Sequence, residues 1–277
     1  MLKYKSGSTG EILELSGSTM KGHIKSSDLY DYEWEIEELK MRIGTRITAF
    51  GKKQAEHTLL VDFIGNKETR KENANHFFEV TERDIIEKKP GRLYLNDQYK
   101  KCYIIGAKNE GKQERRNVVR MELGIYAEQP DWTKEVTISY LKYEEESGET
   151  YLDFPYDFPY DYTGTQKGIS ILENEHYADT NFKMTIYGPV KDPVVNIGAY
   201  PYQIHTTIEE NEYLTIESAN NSVIRTLPNG TKVNEYDNRS FVDSVFRPIP
   251  PGRHNIMWSG DFGWDITLYQ GRSEIKW

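Results

Sequence analysis

The chain has 277 residues, with 35 basic and 44 acidic side chains, a formal charge of −9, 37% apolar residues and 20 tyrosines. Net acidity excludes a nucleic-acid partner held by counterion release, and an aromatic content of 13% excludes a disordered chain. A lone cysteine, Cys102, excludes an internal disulfide framework and a cysteine-cluster zinc site.

The length suits two domains, or one large all-β domain. The opening MLKYKSGSTGEILELSG has no apolar core of a secretory signal, and no apolar run approaches the roughly 20 residues of a membrane span. The expectation is a soluble protein, made in a cytoplasm, with no membrane partner.

Most of the chain alternates with a period of two, as strands with one buried face do. In YEWEI, Tyr32, Trp34 and Ile36 alternate with acids, which predicts a strand burying those three rings and chains. The pattern recurs in RITAF (46–50), RLYLN (92–96), EVTISY (135–140), FKMTIY (182–187) and FGWDITL (262–268). Short strands separated by Gly, Asn and Pro indicate sandwiches or barrels.

One segment departs from this. From about Lys67 to Glu87, Ala74, Phe77, Phe78, Thr81 and Ile85 share one face of a helix. Lys88 and Lys89 oppose the helix dipole at its end, and Pro90-Gly91 stops it. The spacing predicts a single amphipathic helix covering a sheet, with Ala74, Phe77, Phe78 and Ile85 in the core.

The charged run EEESGE (144–149) reads as a solvated hinge. A tandem FPYD repeat follows, and Pro155 and Pro159 bias Phe154 and Phe158 to extended geometry. Phe154, Pro155, Tyr156, Phe158, Pro159 and Tyr160 therefore form an extended linker that packs its rings on a domain surface. Further on, Asn229-Gly230 in LPNGTKV is a hairpin signal of the type I′ kind, with both residues at positive φ.

No catalytic constellation emerges. The six histidines, at 23, 57, 76, 176, 205 and 254, show no metal-ligand spacing. Glu144 to Glu146 and the recurring Asp153, Asp157 and Asp161 offer neither the burial nor the opposition that a paired-acid hydrolase needs. Nucleophile elbows and phosphate loops are absent. Cys102, in YKKCYII, reads as a small buried hydrophobe in a strand. No metal and no cofactor is expected.

What remains is aromatic. Trp264 shares the parity of Ile266 and Leu268, so it and Trp258 read as core. Should the C-terminal part bind sugar instead, Tyr200, Tyr202 and Trp258 are the rings to expect at the site.

Several of these segments together resemble the distal tail proteins (Dit) of siphophages and prophages of Gram-positive bacteria. YKSGSTGEILEL resembles that family's opening, and FFEVTERDIIEKKPGRLYLNDQYKKCYI its helix exit, through Asp84-Ile85, Pro90-Gly91, Leu93 to Asn96 and Tyr99. QPDWTKE (129–135), FPYDFPYDY, IYGPVKDPVV (186–195), YLTIESANNSVI and VFRPIPPGRHNI (245–256) follow in the family's order. The doubled FPYD departs from a single copy.

The resemblance implies a mainly β chain: a tail-tube-like β-sandwich or split barrel with one helix at 1–148, an extended linker at 149–162, and a galectin-like β-sandwich at 163–277. It implies a non-enzymatic virion protein at the tail tip. A hexameric ring would join the tail tube protein to the tail-tip hub protein and to receptor-binding or adhesion proteins. Residues 1–150 carry 25 basic and 27 acidic side chains and the remainder 10 and 17, so packing the near-neutral N-terminal part into a ring costs less repulsion. The alternative is a carbohydrate-binding sandwich protein recognising cell-surface sugars.

Overall fold

The computed structural model describes residues 1–109, 117–142 and 168–275. The charged 144–149 run and the FPYD linker lie outside the described residues. The chain forms two compact units, Met1–Lys134 with Gly271–Trp277, and Glu135–Gln270. It is mainly β, with a single α-helix among the described residues.

Unit 1 begins with β1 (Leu2–Lys5), β2 (Ile12–Glu14) and β3 (Met20–His23). A two-stranded ribbon, β4 (Glu35–Lys40) and β5 (Thr45–Gly51), precedes β6 (Ala55–Ile64), helix α1 (Lys67–Ile86) and β7 (Gly91–Leu95). Then come β8 (Gln98–Asn109), β9 (Val118–Ala127) and β10 (Trp132–Tyr140), within which the chain passes into unit 2. One antiparallel sheet runs β2-β1-β7-β8 and a second runs β3-β6-β9-β8.

The long β8 serves both sheets. Its first half pairs with β7 and its second with β9, past an irregularity at Ile104/Gly106 that lets one strand turn the corner between sheets. Alternate residues enter the shared core: Leu2 and Tyr4, Leu59, Val61 and Phe63, Leu93 and Leu95, Leu123 and Ile125.

Helix α1 packs on β6 and β8. Asn66 caps it, accepting from the Thr69 amide at 2.8 Å, and Lys88 at φ 53° closes it. Phe77, Val80, Thr81 and Asp84 are its buried residues, with Ala74 and Phe78 half-buried against the core. Ile85, expected in that core, is 40% exposed instead.

The reason is Asp84. Its carboxylate is fully buried and accepts from the Tyr4 hydroxyl (2.7 Å), the Ser6 hydroxyl (2.7 Å), the Ser8 amide (2.9 Å) and the Ser8 hydroxyl (2.6 Å). Those donors draw the Asp84 side of the helix inward and turn Ile85 out. Burial opposes ionisation, but the donors from Ser6, Ser8 and Tyr4 outweigh it and hold the carboxyl below its usual range. Nearby, a Cβ on Gly91 would lie 2.1 Å from the Tyr4 hydroxyl, and one on Gly7 2.3 Å from the Pro90 carbonyl. Only glycine lets the opening strand and the helix exit approach so closely.

Unit 2 contains β11 (Ile169–Asn174), β12 (Asn181–Tyr187), β13 (Val190–Lys191), β14 (Val194–Ile197), β15 (Tyr200–Gln203), β16 (Thr207–Ile208) and β17 (Tyr213–Glu217). It continues with β18 (Ser222–Thr226), β19 (Lys232–Asn234), β20 (Gly252–Met257) and β21 (Trp264–Arg272), within which the chain returns to unit 1. A β19-β18-β17-β12-β21 sheet and a β11-β20-β14-β15 sheet share one core in a sandwich. Phe182, Met184 and Ile186 alternate inward on β12, as do Trp264, Ile266 and Leu268 on β21.

The β18–β19 hairpin forms, but not with the expected type I′ turn. Pro228 fixes the first central residue at negative φ, Asn229 keeps negative φ, and Gly230 alone is positive at 81°. The Gly230 amide donates to the Leu227 carbonyl at 2.9 Å, a type I turn followed by a left-handed glycine.

Replacing Asp84 by Ala should destabilise the protein by about 3–5 kcal/mol at neutral pH, because several buried donors lose their acceptor at once. A carboxylate with a depressed folded pKa contributes stability above its unfolded value, near 3.9, and loses it as pH falls through the lower folded value. Urea unfolding of both proteins should therefore show the difference shrinking as pH is lowered from about 4 towards 2. Phe77→Ala should cost about 3–5 kcal/mol in the same assay, and the half-buried Phe78→Ala less.

Candidate assembly surface

The ribbon formed by β4 and β5 pairs with no other strand among the described residues. Every residue of β4 is exposed, and so is every residue of β5 up to Phe50. YEWEI therefore does not bury Tyr32, Trp34 and Ile36; all three are exposed. Register puts Ile36 opposite Phe50 and Glu38 opposite Ile47, so one face carries Ile36, Ile47 and Phe50, while Leu39 opposite Arg46 occupies the other. At the tip, Met41 and Ile43 project, Ile43 86% exposed. Eight large apolar residues lie open between Tyr32 and Phe50.

An isolated two-stranded ribbon is marginal in water, and contiguous apolar exposure of this kind marks an interaction surface. The sequence signal was correct as alternation. Among the described residues none covers that face.

At the root of the ribbon lies a cavity of about 690 Å³ lined by Asp28, residues 31–36 and 52–57, Pro130, Asp131 and Ser273. Lys52 bridges its wall, ion-paired with Asp131 and 4.3 Å above the Trp34 ring. Lys53 pairs with Glu35. Asp31, Glu33 and Glu56 also line it, are exposed, and take part in no ion pair among the described residues.

Behind the cavity wall is a buried pair that sequence reasoning missed. The Lys100 ammonium reaches His57 Nε2 at 2.7 Å and lies 4.9 Å from the Trp132 ring. His57 Nδ1 bonds the Asp28 carbonyl at 2.9 Å. Burial pushes the Lys100 pKa down to about 8, and burial together with the Lys100 charge lowers that of His57. Neither residue has a spacing or motif that could have announced it. Lys100 sits in a run of alternating strand residues where a cation would ordinarily face water.

In unit 2 the three rings expected at a sugar site do not form a platform. Tyr202, at 2% exposure, is core: its ring meets Phe182 edge-on at 5.3 Å and its hydroxyl donates to the Arg247 carbonyl at 2.8 Å. Tyr200 is half-buried, between Tyr202 and the Arg247 guanidinium at 4.5 Å. Trp258 is half-buried in a separate cluster with Tyr140 and Trp264, its indole N–H donating to the Phe262 carbonyl at 3.1 Å. Another apolar tip is open in unit 2, at Phe241 and Val242. Among the described residues no group of three or more His, Cys, Asp or Glu side chains could hold a metal ion, and no helix is long and apolar enough to cross a membrane.

No protein-family model matches the chain, and no curated protein matches it significantly. Solved structures do. The Dit protein of phage SPP1, described as a paradigm of the hub adsorption apparatus in Gram-positive-infecting phages, is 9% identical, and the match covers 98% of this chain and 99% of that one at a TM-score of 0.58. A chain of the phage P2 baseplate in its activated conformation with Ca is 9% identical, covering 99% and 100% at a TM-score of 0.64. Its counterpart with Sr is 10% identical over the same shares, at 0.63. This is the fold of the Dit hub proteins.

The Dit-like fold gives the two most specific sequence segments a common purpose. The YKSGSTGEILEL opening supplies Tyr4, Ser6 and Ser8, and the helix exit supplies Asp84, which receives them. Cys102 is buried beside them, its thiol pushed up to about 12 by burial.

A lysine whose folded pKa lies below its unfolded value contributes stability that rises as pH climbs from the folded to the unfolded value. Relative to Lys100→Met, the native chain should therefore gain stability between about pH 8 and about pH 10.4 and show a constant difference below pH 8. Urea unfolding at pH 7, 8.5 and 10 measures this; a difference flat across the range would mean that Lys100 is not desolvated.

Proposed function

We propose that this chain is a structural protein of a phage tail tip, assembling as a ring between the tail tube and the hub that carries the adhesion proteins. The observation that carries this reading is the β4–β5 ribbon: a Dit-like fold in which unit 1 extends an apolar arm that its own core does not cover. Such an arm suits a subunit that completes itself on a neighbour. Near charge balance in the N-terminal residues lowers the repulsion between copies brought together there. A hexamer is the stoichiometry we propose, with unit 2 outside the ring and the Phe241–Val242 tip available to other tail components.

No reaction is assigned to the chain. The carbohydrate-binding alternative draws no support from Tyr200, Tyr202 and Trp258, which are core or half-covered by their own neighbours. The chain would fold in the host cytoplasm and act in the virion.

Electron microscopy of the purified full chain tests the reading directly. Closed rings are expected. Replacing Met41-Arg42-Ile43-Gly44 by a two-residue Asn-Gly turn should yield monomers with an unchanged circular dichroism spectrum. Native protein that remains monomeric at high concentration would overturn the proposal.

A further inference from the structure

Two basic side chains face each other inside unit 1. His57 on β6 and Lys100 on β8 are both buried, with the Lys100 ammonium 2.7 Å from His57 Nε2. An ammonium has no lone pair and can only donate. His57 Nε2 is therefore the acceptor, the ring is neutral, and its proton sits on Nδ1, which donates to the Asp28 carbonyl at 2.9 Å. One imidazole thus ties β8 to the segment that precedes the ribbon.

That segment, residues 24–31, is a strap. Asp28 fastens it twice to β6: its carbonyl receives His57, and its carboxylate receives the Thr58 amide at 2.6 Å. Leu29 is fully buried beside it, and Ile24 and Tyr30 pack on the same core. The strap has little regular structure of its own beyond one 3-10 turn at Ile24–Ser26 and the Asp31 amide donating to the Asp28 carbonyl. It runs directly into Tyr32 and Trp34 at the ribbon root.

A second proton cannot enter this arrangement unchanged. Protonating Nε2 removes the acceptor and sets two cations 2.7 Å apart in a buried site, where their repulsion is weakly screened. Around the pair stand Asp28 and Asp31 on the strap, Asp131 before β10, Lys52 after β5 and Cys102 on β8, and the exposed Glu56 adjoins His57 in sequence. Asp28 and Asp31 favour a charged ring, but burial and the Lys100 charge oppose it and prevail, so the folded ring accepts a proton less readily than an ordinary histidine. Asp131 is engaged by Lys52, and the Cys102 thiol, pushed up to about 12, stays neutral. Lys100, at about 8, is charged at pH 7 and below whether buried or released. Within the pair, only the ring titrates there.

We infer that His57 and Lys100 form a proton-sensitive latch: acid charges the ring, Lys100 repels it, and the strap at residues 24–31 opens while the rest of unit 1 stays folded. A base that binds its proton more weakly in the closed form favours the open form as pH falls below its free value of 6.5, by up to about tenfold per pH unit. Asp84 keeps its charge through this window, because its donors hold it below the usual carboxylate range. The latch belongs to the single subunit and does not depend on assembly.

Hydrogen exchange of the full chain, read by mass spectrometry from pH 7 to pH 5 and corrected for the intrinsic pH dependence, tests this. Amides of residues 24–31 should lose protection about tenfold or more, while those of Leu2–Lys5 keep theirs. His57→Asn, whose side-chain amide donates to Asp28 but does not titrate, should flatten the pH dependence. Asp28→Asn, which keeps the carbonyl that His57 uses, should retain it. Native protection that stays flat, or that falls equally in Leu2–Lys5, overturns the latch. So does an undiminished fall in His57→Asn, or a fall abolished by Asp28→Asn. Should His57→Asn fail to fold, nuclear magnetic resonance of the native ring decides. An Nδ1–H tautomer whose titration tracks the opening of the strap supports the latch; an Nε2–H tautomer, or a titration that leaves the strap amides unmoved, overturns it.

Discussion

The buried carboxylate of Asp84 is the constraint on which unit 1 depends. Four donors from the first eight residues converge on it, so the opening strand cannot leave the helix without stranding several polar groups in an apolar interior. The approach is so close that Gly7 and Gly91 have no room for a side chain. By fixing β1 between β2 and β7, the carboxylate sets one sheet; by fixing α1 over β6 and β8, it sets the face of the other. Segments some eighty residues apart in sequence are one local object in space. That is why the two most specific stretches of the sequence had to occur together.

The same economy of burial explains what is left outside. The alternating residues of β6, β7, β8 and β9 fill the core of unit 1, and no residue of the β4–β5 ribbon belongs to it. Its root is braced by the half-buried Lys52 over Trp34 and by the exposed Lys53–Glu35 pair, which as a surface ion pair contributes little. Behind that root the interior holds the Lys100 ammonium against a neutral His57. Keeping a cation there is costly relative to an apolar side chain, partly offset by the Trp132 face. The wall of the cavity is thus organised by polar contacts rather than by core packing.

Much of this was legible in the sequence, and the failures have physical causes. Period-two alternation found the unit 2 strands around Met184 and Ile266 and the unit 1 strand around Leu93, because in each the apolar face is buried by the chain itself. It misled at Tyr32, Trp34 and Ile36 because alternation reports that a face is to be covered and is silent about which molecule covers it. The helical wheel placed Ile85 inside because it counts apolar side chains, whereas the inward pull came from a carboxylate whose donors lie far away in sequence. Asn229-Gly230 was read without its preceding proline, and Pro228 decides the turn. His57 and Lys100 carried no signal, since a buried ammonium is specified only by three-dimensional neighbours.

On the proposed reading, ordering of the ribbon and assembly are a single event. A two-stranded ribbon gains little from its own hydrogen bonds in water, and here its apolar residues face outward on both sides. Cover on one side by a neighbour would leave Leu39 or the Ile36–Phe50 pair still exposed, so a surface that encloses the arm is favoured over one that merely abuts it. The fold of unit 1, by contrast, is held by Asp84 and the inward-facing strands, none of which lies in the ribbon. Changes in the arm should therefore act on assembly with little effect on the stability of the subunit, while changes at Asp84 act on both. That separation lets a tail-tip subunit fold as a monomer first and join its neighbours afterwards.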